Sequence, residues 1–257
     1  MEITLNNYTS LKEQKLTRAQ IANSFGIPDW KLKKLIAKNG WGRKAPTISN
    51  EYAFMDFSEG SCYWAGFLAA DGCITNGYIK VCLNYDDTAH LEKFKVFIGS
   101  NHSITSNTDK YYRSELGFKN SQIVEDLEVN YNIVPRKSLN YRLPKIPEKY
   151  LRHFIRGYFD GDGCICESFS NINSSTASLY TTIVGSGLFI DELYNIINKT
   201  LDIRGTVATK DNNVKTMKYC TKASFILLDY LYKDSTVYLD RKHSLYKILA
   251  SGTRKVR

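Results

Sequence analysis

Two aspartate-glycine pairs end two matching apolar segments of this chain, and carboxylates brought together in that way can carry metal-dependent chemistry. The first segment runs Tyr63-Trp64-Ala65-Gly66-Phe67-Leu68-Ala69-Ala70-Asp71-Gly72-Cys73-Ile74. The second runs Phe154-Ile155-Arg156-Gly157-Tyr158-Phe159-Asp160-Gly161-Asp162-Gly163-Cys164-Ile165. From Gly66 and Gly157 to Ile74 and Ile165, five of nine positions are identical at a constant offset of 91 residues. An aspartate in the last turn of a helix faces the negative end of the macrodipole and is misplaced for stability. Two carboxylates about 6 Å apart at an effective dielectric near 20 repel by roughly 3 kcal/mol. A divalent ion relieves that repulsion. Mg²⁺, or another oxygen-preferring cation such as Mn²⁺, takes carboxylate and carbonyl oxygens and keeps waters that can act as nucleophile or proton donor. One Asp-Gly pair alone is a common turn dipeptide; the duplication is what singles out Asp71 and Asp162.

Both acids need helices to position them. Ser58 with Glu59 reads as a helix start, and Gly72 stands where a terminal glycine often takes the left-handed conformation. Gly66 and Ala70, like Gly157 and Gly161, are four apart and share a helix face. Small residues at that spacing let two backbones approach closely. The repeat therefore predicts two similar halves joined through two face-to-face helices.

A second repeat follows the first. Val134-Pro135-Arg136-Lys137-Ser138 and Leu239-Asp240-Arg241-Lys242-His243 each come after an apolar, Tyr-containing segment. Two solvated Arg-Lys pairs would read the same way. Their matched order makes Lys137 and Lys242 candidates for orienting water or stabilising charge on a phosphate.

Together these segments resemble the paired motifs of single-chain LAGLIDADG homing endonucleases, with Trp64 to Gly72 and Ile155 to Gly163 on the nine motif positions. The resemblance implies that Asp71 and Asp162 bind metal, that Ala70 and Gly161 lend backbone carbonyls, and that Lys137 and Lys242 reach the active-site water network. The first copy departs from the pattern at Ala69, where the motif usually carries an acid; Asp160 keeps it in the second. That position is usually structural.

The chain has 257 residues, 43% of them hydrophobic, enough for one large domain and a small one. It contains no apolar run of membrane-spanning length and no signal peptide at its N-terminus, so no membrane partner is expected. Six cysteines lack C-x-x-C spacing, and Cys73 and Cys164, at equivalent repeat positions, are expected to be small core residues. Four scattered histidines offer neither a zinc site nor a His-Asn-His pattern. The net charge of +9 points to a polyanionic partner. Residues 1–50 hold nine Lys/Arg against three acids, a surplus of 9 − 3 = +6.

In that basic front end, Thr17 with Gln20 forms a capping box, a helix runs to Gly26, and a second helix runs from Pro28 or Asp29 to Asn39-Gly40. The pair resembles a DNA-binding helix-turn-helix, with Lys31, Lys34 and Lys38 on one face of the second helix. A solvated lysine face is the plainer alternative. Residues 42–57 read as a linker in which Arg43 and Lys44 could track a DNA backbone.

After each motif, strand and helix signals alternate. Thr75-Asn76-Gly77 marks a tight turn before the alternating strand Tyr78 to Leu83, whose Ile79, Val81 and Leu83 face inward and whose Tyr78 and Lys80 face outward. Helices are expected over Thr88–Ile98, Ser121–Tyr131, Ile190–Leu201 and His243–Ala250, and strands over Tyr111–Lys119, Tyr180–Val184 and Thr216–Thr221. The stretch Ser168 to Ser178 reads as a long hairpin tip. Outward-facing DNA-contact candidates are Lys80, Arg113, Glu115 and Lys119 in the first half and Thr216, Lys218 and Lys222 in the second.

The expected fold is α+β: a pseudo-two-fold duplicated αββαββα saddle with a small all-α N-terminal domain. Its expected parts are 1–41 (helix-turn-helix-like), 42–57 (linker), 58–143 (first half) and 144–257 (second half). The expected function is a monomeric, site-specific, metal-dependent double-strand DNA endonuclease of intron homing, acting in the cytoplasm of a bacterial or phage-infected cell or in an organelle matrix. The rival is a catalytically silent DNA-binding regulator, or an intron maturase with RNA as partner, on the same scaffold. Ending Lys255-Val256-Arg257 without a terminal His-Asn pair, the sequence is not expected to be embedded in an intein.

Overall fold

The computed structural model describes residues 3–42, 45–169, 177–210 and 213–251. Arg43, Lys44, most of the Ser168–Ser178 tip and Lys255 to Arg257 lie outside the described residues. The chain forms two compact units, Met1–Pro46 and Thr47–Arg257.

The first unit has three helices: α1 (Leu5–Glu13), α2 (Arg18–Ser24) and α3 (Asp29–Lys38). Thr17 and Gln20 make the expected capping box on α2, and Gly26 turns the chain at φ 66°. Asp29 in the first turn of α3 accepts a bidentate pair from Arg18 at 2.6 and 2.7 Å, fixing the angle between the two helices. Helix α1 went unread in the sequence because its apolar residues are few; Tyr8 packs with Ile21, Ala22 and Leu32 to close the core.

The second unit is the duplicated saddle. Its first half comprises α4 (Glu59–Asp71), β1 (Gly72–Thr75), β2 (Tyr78–Asn84), α5 (Thr88–Phe97), β3 (Thr105–Asn107), β4 (Arg113–Lys119) and α6 (Ser121–Tyr131). Its second half comprises α7 (Glu148–Asp162), β5 (Gly163–Phe169), β6 (Ala177–Ser186), α8 (Gly187–Leu201), β7 (Thr206–Thr209), β8 (Val214–Cys220), α9 (Thr221–Tyr232) and an added α10 (Asp240–Ala250). Both sheets are antiparallel with the same order, β1-β2-β4-β3 and β5-β6-β8-β7. Asn76 and Gly77, at φ 51° and 72°, make the predicted hairpin turn, which requires positive φ at both central positions. Along β2, Ile79 and Val81 are buried while Tyr78 is exposed, so the strand's period-2 pattern sets which face meets the helices.

Helices α4 and α7 form the spine. Ser58 caps α4 through Ser61, and every residue from Ser61 to Ala69 is buried, which explains why this helix has apolar residues all round. A Cβ at Gly66 would overlap the Phe154 carbonyl oxygen, and one at Gly157 would overlap the Tyr63 carbonyl oxygen. Phe154 and Tyr63 are themselves repeat partners, so the contact is reciprocal. Gly161 likewise leaves no room for a Cβ against Ala70.

Four expectations require correction. Gly72 is not left-handed: at φ −80° and ψ 141° it already opens β1, and glycine is needed there because a Cβ would sit 2.5 Å from the Leu68 carbonyl oxygen. Lys222 does not face out from a strand, because β8 stops at Cys220 and Lys222 is exposed in the first turn of α9. Cys73 and Cys164 are exposed rather than core residues, since strands starting at Gly72 and Gly163 turn the following side chain to the open face. The segment 47–57, read as linker, packs on the first half: Ser49 N–H donates to Gly99 O at 3.0 Å, and Phe54 is wholly buried.

Replacing Gly66 or Gly157 by alanine is expected to destabilise the protein by about 3 kcal/mol or more, because backbone rather than a yielding side chain opposes the new Cβ. Urea unfolding checks this, and the pseudo-symmetry predicts similar losses for the two variants.

Candidate active site at the paired helix ends

The glycine contact carries Asp71 and Asp162 to the same end of the spine. A Cβ built on Gly161 would lie 3.1 Å from Asp71 Oδ2, so the Asp71 carboxylate rests over the backbone preceding Asp162. Burial, then the neighbouring Asp162 charge, push the Asp71 carboxyl up to about 6, against the pull of Lys242, Lys137 and Arg241. Asp162 is more open to solvent, yet its carboxyl is also held above the ordinary range, chiefly by the surrounding protein, with Tyr158, Lys137 and Lys242 opposing.

Both candidate lysines are buried, at 7% and 5% exposure, so neither is a solvated surface charge. Lys137 follows Arg136, whose left-handed backbone (φ 60°) starts a single 3₁₀ turn at Lys137–Leu139. Its Nζ donates to Gly72 O at 2.7 Å. Lys242, in the first turn of α10, donates to the Phe159, Asp160 and Gly163 carbonyl oxygens at 2.6, 2.9 and 2.5 Å. Lys242 thus closes C-terminal carbonyls of the helix that carries Asp162, and Lys137 binds the carbonyl just past the helix that carries Asp71, where the macrodipole favours a cation. Burial is the main cause lowering both lysines, Lys242 to about 8, with the nearby carboxylates opposing.

The two halves differ behind this symmetric front. Asp160 is fully enclosed and accepts from Tyr63 Oη at 2.7 Å, Tyr232 Oη at 2.5 Å and Leu239 N at 2.8 Å. His90, kept neutral by burial with its pKa pushed down to about 3, donates from Nε2 to Tyr63 Oη at 3.0 Å. Since Leu239 immediately precedes α10, Asp160 fixes the entry of the helix that delivers Lys242. Ala69 stands at the matching place in the first half, where it is buried and apolar. Arg156, wholly buried, adds a second tie: it donates to Glu59 Oε1 at 2.7 Å, Val237 O at 2.9 Å and Leu231 O at 3.1 Å. Tyr63, His90, Arg156 and Tyr232 are not among the site candidates that the sequence offers. A charged Arg156 inside an apolar repeat segment was the one available signal.

Among the remaining candidates, Lys80 and Arg113 lie on the open face of the first sheet. Lys80 is paired with Glu115 at 2.7 Å, and Arg113 lies 3.9 Å from the same carboxylate. Lys119 is exposed at the end of β4, and Lys218 covers the Tyr180 ring at 4.0 Å. Lys31, Lys34 and Lys38 are all exposed on α3. Among the described residues no cluster of three or more His, Cys, Asp or Glu side chains forms a metal cage. The donor set at the helix ends is two carboxylates with backbone carbonyls. That set, with a carboxylate poised over a glycine backbone, fits a hard cation that keeps several waters.

Asp71 costs stability while its charge is uncompensated. Its folded pKa of about 6 exceeds the unfolded value, so below pH 4 both states hold the proton and the cost is nil. As pH rises the unfolded state ionises first, and stability falls until about pH 6. Metal-free Asp71→Asn is therefore expected to be more stable than the parent by about 1–3 kcal/mol at pH 7, and equal to it near pH 3.5. Chelator-treated protein in urea at the two pH values checks this; Mg²⁺ should narrow the gap.

Residues 149–243 match the family of LAGLIDADG-like domains. No curated protein matches the chain by sequence. Solved structures do match by shape. A double mutant of I-SmaMI superposes with a TM-score of 0.54 at 11% identity, covering 77% of this chain and 93% of that one. The I-SmaMI LAGLIDADG homing endonuclease bound to cleaved DNA gives 0.53 at 12% identity, covering 76% and 88%. The LAGLIDADG meganuclease I-AabMI bound to uncleaved DNA gives 0.50 at 15% identity, covering 78% and 94%. The second half thus carries a LAGLIDADG-like domain recognisable in sequence, and the two halves together have the duplicated LAGLIDADG saddle fold.

Proposed function

We propose that this protein is a metal-dependent endonuclease that cuts both strands of duplex DNA, one aspartate serving each strand. The observation that carries this reading is the meeting of Asp71 and Asp162 at the helix ends, where burial and then the neighbouring Asp162 charge raise the Asp71 carboxyl to about 6. A pure binder gains nothing from two acids facing phosphates, and each acid has its own buried lysine. Structural neighbours include the I-SmaMI LAGLIDADG homing endonuclease bound to cleaved DNA and the LAGLIDADG meganuclease I-AabMI bound to uncleaved DNA, which supports the same activity here.

In this reading, Asp71 and Asp162 with the Ala70 and Gly161 carbonyls hold Mg²⁺ or Mn²⁺. The cation supplies Lewis-acid stabilisation of charge on the scissile phosphate. Lys137 and Lys242 keep the helix ends closed and present cationic edges to the water that attacks and to the phosphate oxygens. The open faces of both sheets, with Lys80, Arg113, Lys119 and Lys218, track the duplex. Lys222 at the start of α9 is left to a phosphate contact. The N-terminal helices act as a helix-turn-helix, with Lys31, Lys34 and Lys38 on the backbone and Arg43 following it; the chain works as a monomer in intron homing.

Incubation with duplex DNA from its own genomic locus, with and without Mg²⁺, tests the reading. Asp71→Asn and Asp162→Asn should each abolish double-strand cleavage while DNA binding stays equal or tightens, as negative charge facing phosphate is removed. Normal double-strand cutting by either variant would end the two-acid mechanism.

Lys137→Ala is expected to slow one strand more than the other. Lys242→Ala should in addition lose roughly 2–4 kcal/mol of stability, because three carbonyls lose their donor. Strand-resolved kinetics and urea midpoints separate the two effects. Replacing Lys31, Lys34 and Lys38 together by alanine should reduce the slope of log K against log salt by about 0.9 per phosphate contact, roughly 3 in all. An unchanged slope would assign that face to solvent or to a protein contact.

A further inference from the structure

Cys164 and Cys166 are two residues apart on β5, so both side chains leave the same face of the strand. Their sulfurs lie 3.1 Å apart, a direct thiol–thiol contact. Both are free thiols; Cys164 is exposed and Cys166 partly so, within reach of a small oxidant. The matching residues of the first half are Cys73 and Thr75, where sulfur faces a hydroxyl at 3.6 Å. A dithiol therefore exists beside Asp162 and has no counterpart beside Asp71.

We propose that Cys164 and Cys166 form a reversible oxidation site, closed to a disulfide by a hydroperoxide, and that closure disables the half-site built on Asp162. One cysteine sulfur attacks a peroxide oxygen and the O–O bond breaks, leaving a sulfenic acid and an alcohol, or water when the oxidant is hydrogen peroxide. The second sulfur then displaces the sulfenic oxygen as water, and the S–S bond forms. The two thiols lose two electrons and two protons, and the hydroperoxide takes them up.

Strand geometry supplies the consequence. Residues two apart in a strand have Cα atoms about 6.5–7 Å apart, at the upper edge of the roughly 4.4–6.8 Å that a disulfide spans. Closure must shorten β5, and a bond made under that constraint is readily reduced. The strand is not free to absorb the change. Cys164 and Cys166 stand opposite Thr182 and Tyr180 of β6, while the Gly163 carbonyl is held by Lys242. The displacement therefore passes to Gly163, and with it to Asp162 and to the lysine.

The oxidation site stands on the thiol geometry alone, and its effect on one strand rests on the nuclease reading. The test uses full-length protein treated with hydrogen peroxide, then iodoacetamide, then peptide mass mapping. The peptide carrying both cysteines should lose about 2 Da and resist alkylation until dithiothreitol is added. With Mg²⁺ and duplex substrate, the oxidised protein should nick, cutting one strand at its reduced rate and the other about 10²-fold more slowly, as expected of a catalytic group misplaced by ~1 Å. In Cys166→Ala the ratio of oxidised to reduced cleavage should stay at unity whatever the basal rate. Free alkylation of both sulfurs after peroxide, linkage to Cys73, Cys82 or Cys220 instead, or unchanged cutting of both strands by the linked protein would each overturn the proposal. Failure of the reduced protein to cut any DNA would count against the nuclease reading, and the alkylation result would still decide the oxidation site.

Discussion

The backbone-to-backbone approach of α4 and α7 at Gly66 and Gly157 is the constraint on which the rest depends. Only glycine permits it, since any Cβ there meets a carbonyl oxygen of the other helix. The approach is what makes two helix termini coincide. It puts Asp71 over Gly161, forces both carboxylates into a common field, and leaves each sheet hanging from the end of its own helix. Everything that reads as chemistry follows from two backbones being allowed to touch.

Bringing acids to helix C-termini costs stability, and the fold offsets the cost with cations drawn from distant sequence. Lys137 and Lys242 reach the two helix ends from a 3₁₀ turn and from α10. Their burial lowers their own pKa, so the arrangement holds four groups away from their ordinary titration behaviour in a small volume. Such concentration of perturbed groups is characteristic of functional sites. A purely structural cluster would be expected to settle into neutralised pairs.

The halves are copies only in their front rank. Asp160 collects three donors and ties Tyr63 of the first half to Tyr232 and Leu239 of the second, whereas Ala69 at the matching place makes none of these bonds. One buried acid, at the common spine, bonds residues of both halves, and the buried Ala69 adds no second desolvated charge there. The loss of the acid at Ala69 is thus compatible with an intact pair of metal-binding candidates. The thiol pair beside Asp162 is a second asymmetry of the same kind.

Much of this was legible in the chain itself. The 91-residue offset, the small residues four apart and the terminal aspartates determined a duplicated fold with paired helices, because close packing and helix periodicity act locally and leave a pattern in residue type. The period-2 strand after Asn76-Gly77, the capping box at Thr17 and the helix start at Ser58 were readable for the same reason. Tertiary structure alone decided the burial of Lys137 and Lys242, the place of Lys222 on α9, the exposure of Cys73 and Cys164, and the packing of residues 47–57. It also assembled the His90–Tyr63–Asp160–Tyr232 chain of hydrogen bonds, whose members are separated by up to 169 residues, Tyr63 to Tyr232. No local pattern marks such residues, since hydrogen-bond partners are chosen by where the folded backbone delivers them and not by their neighbours in sequence.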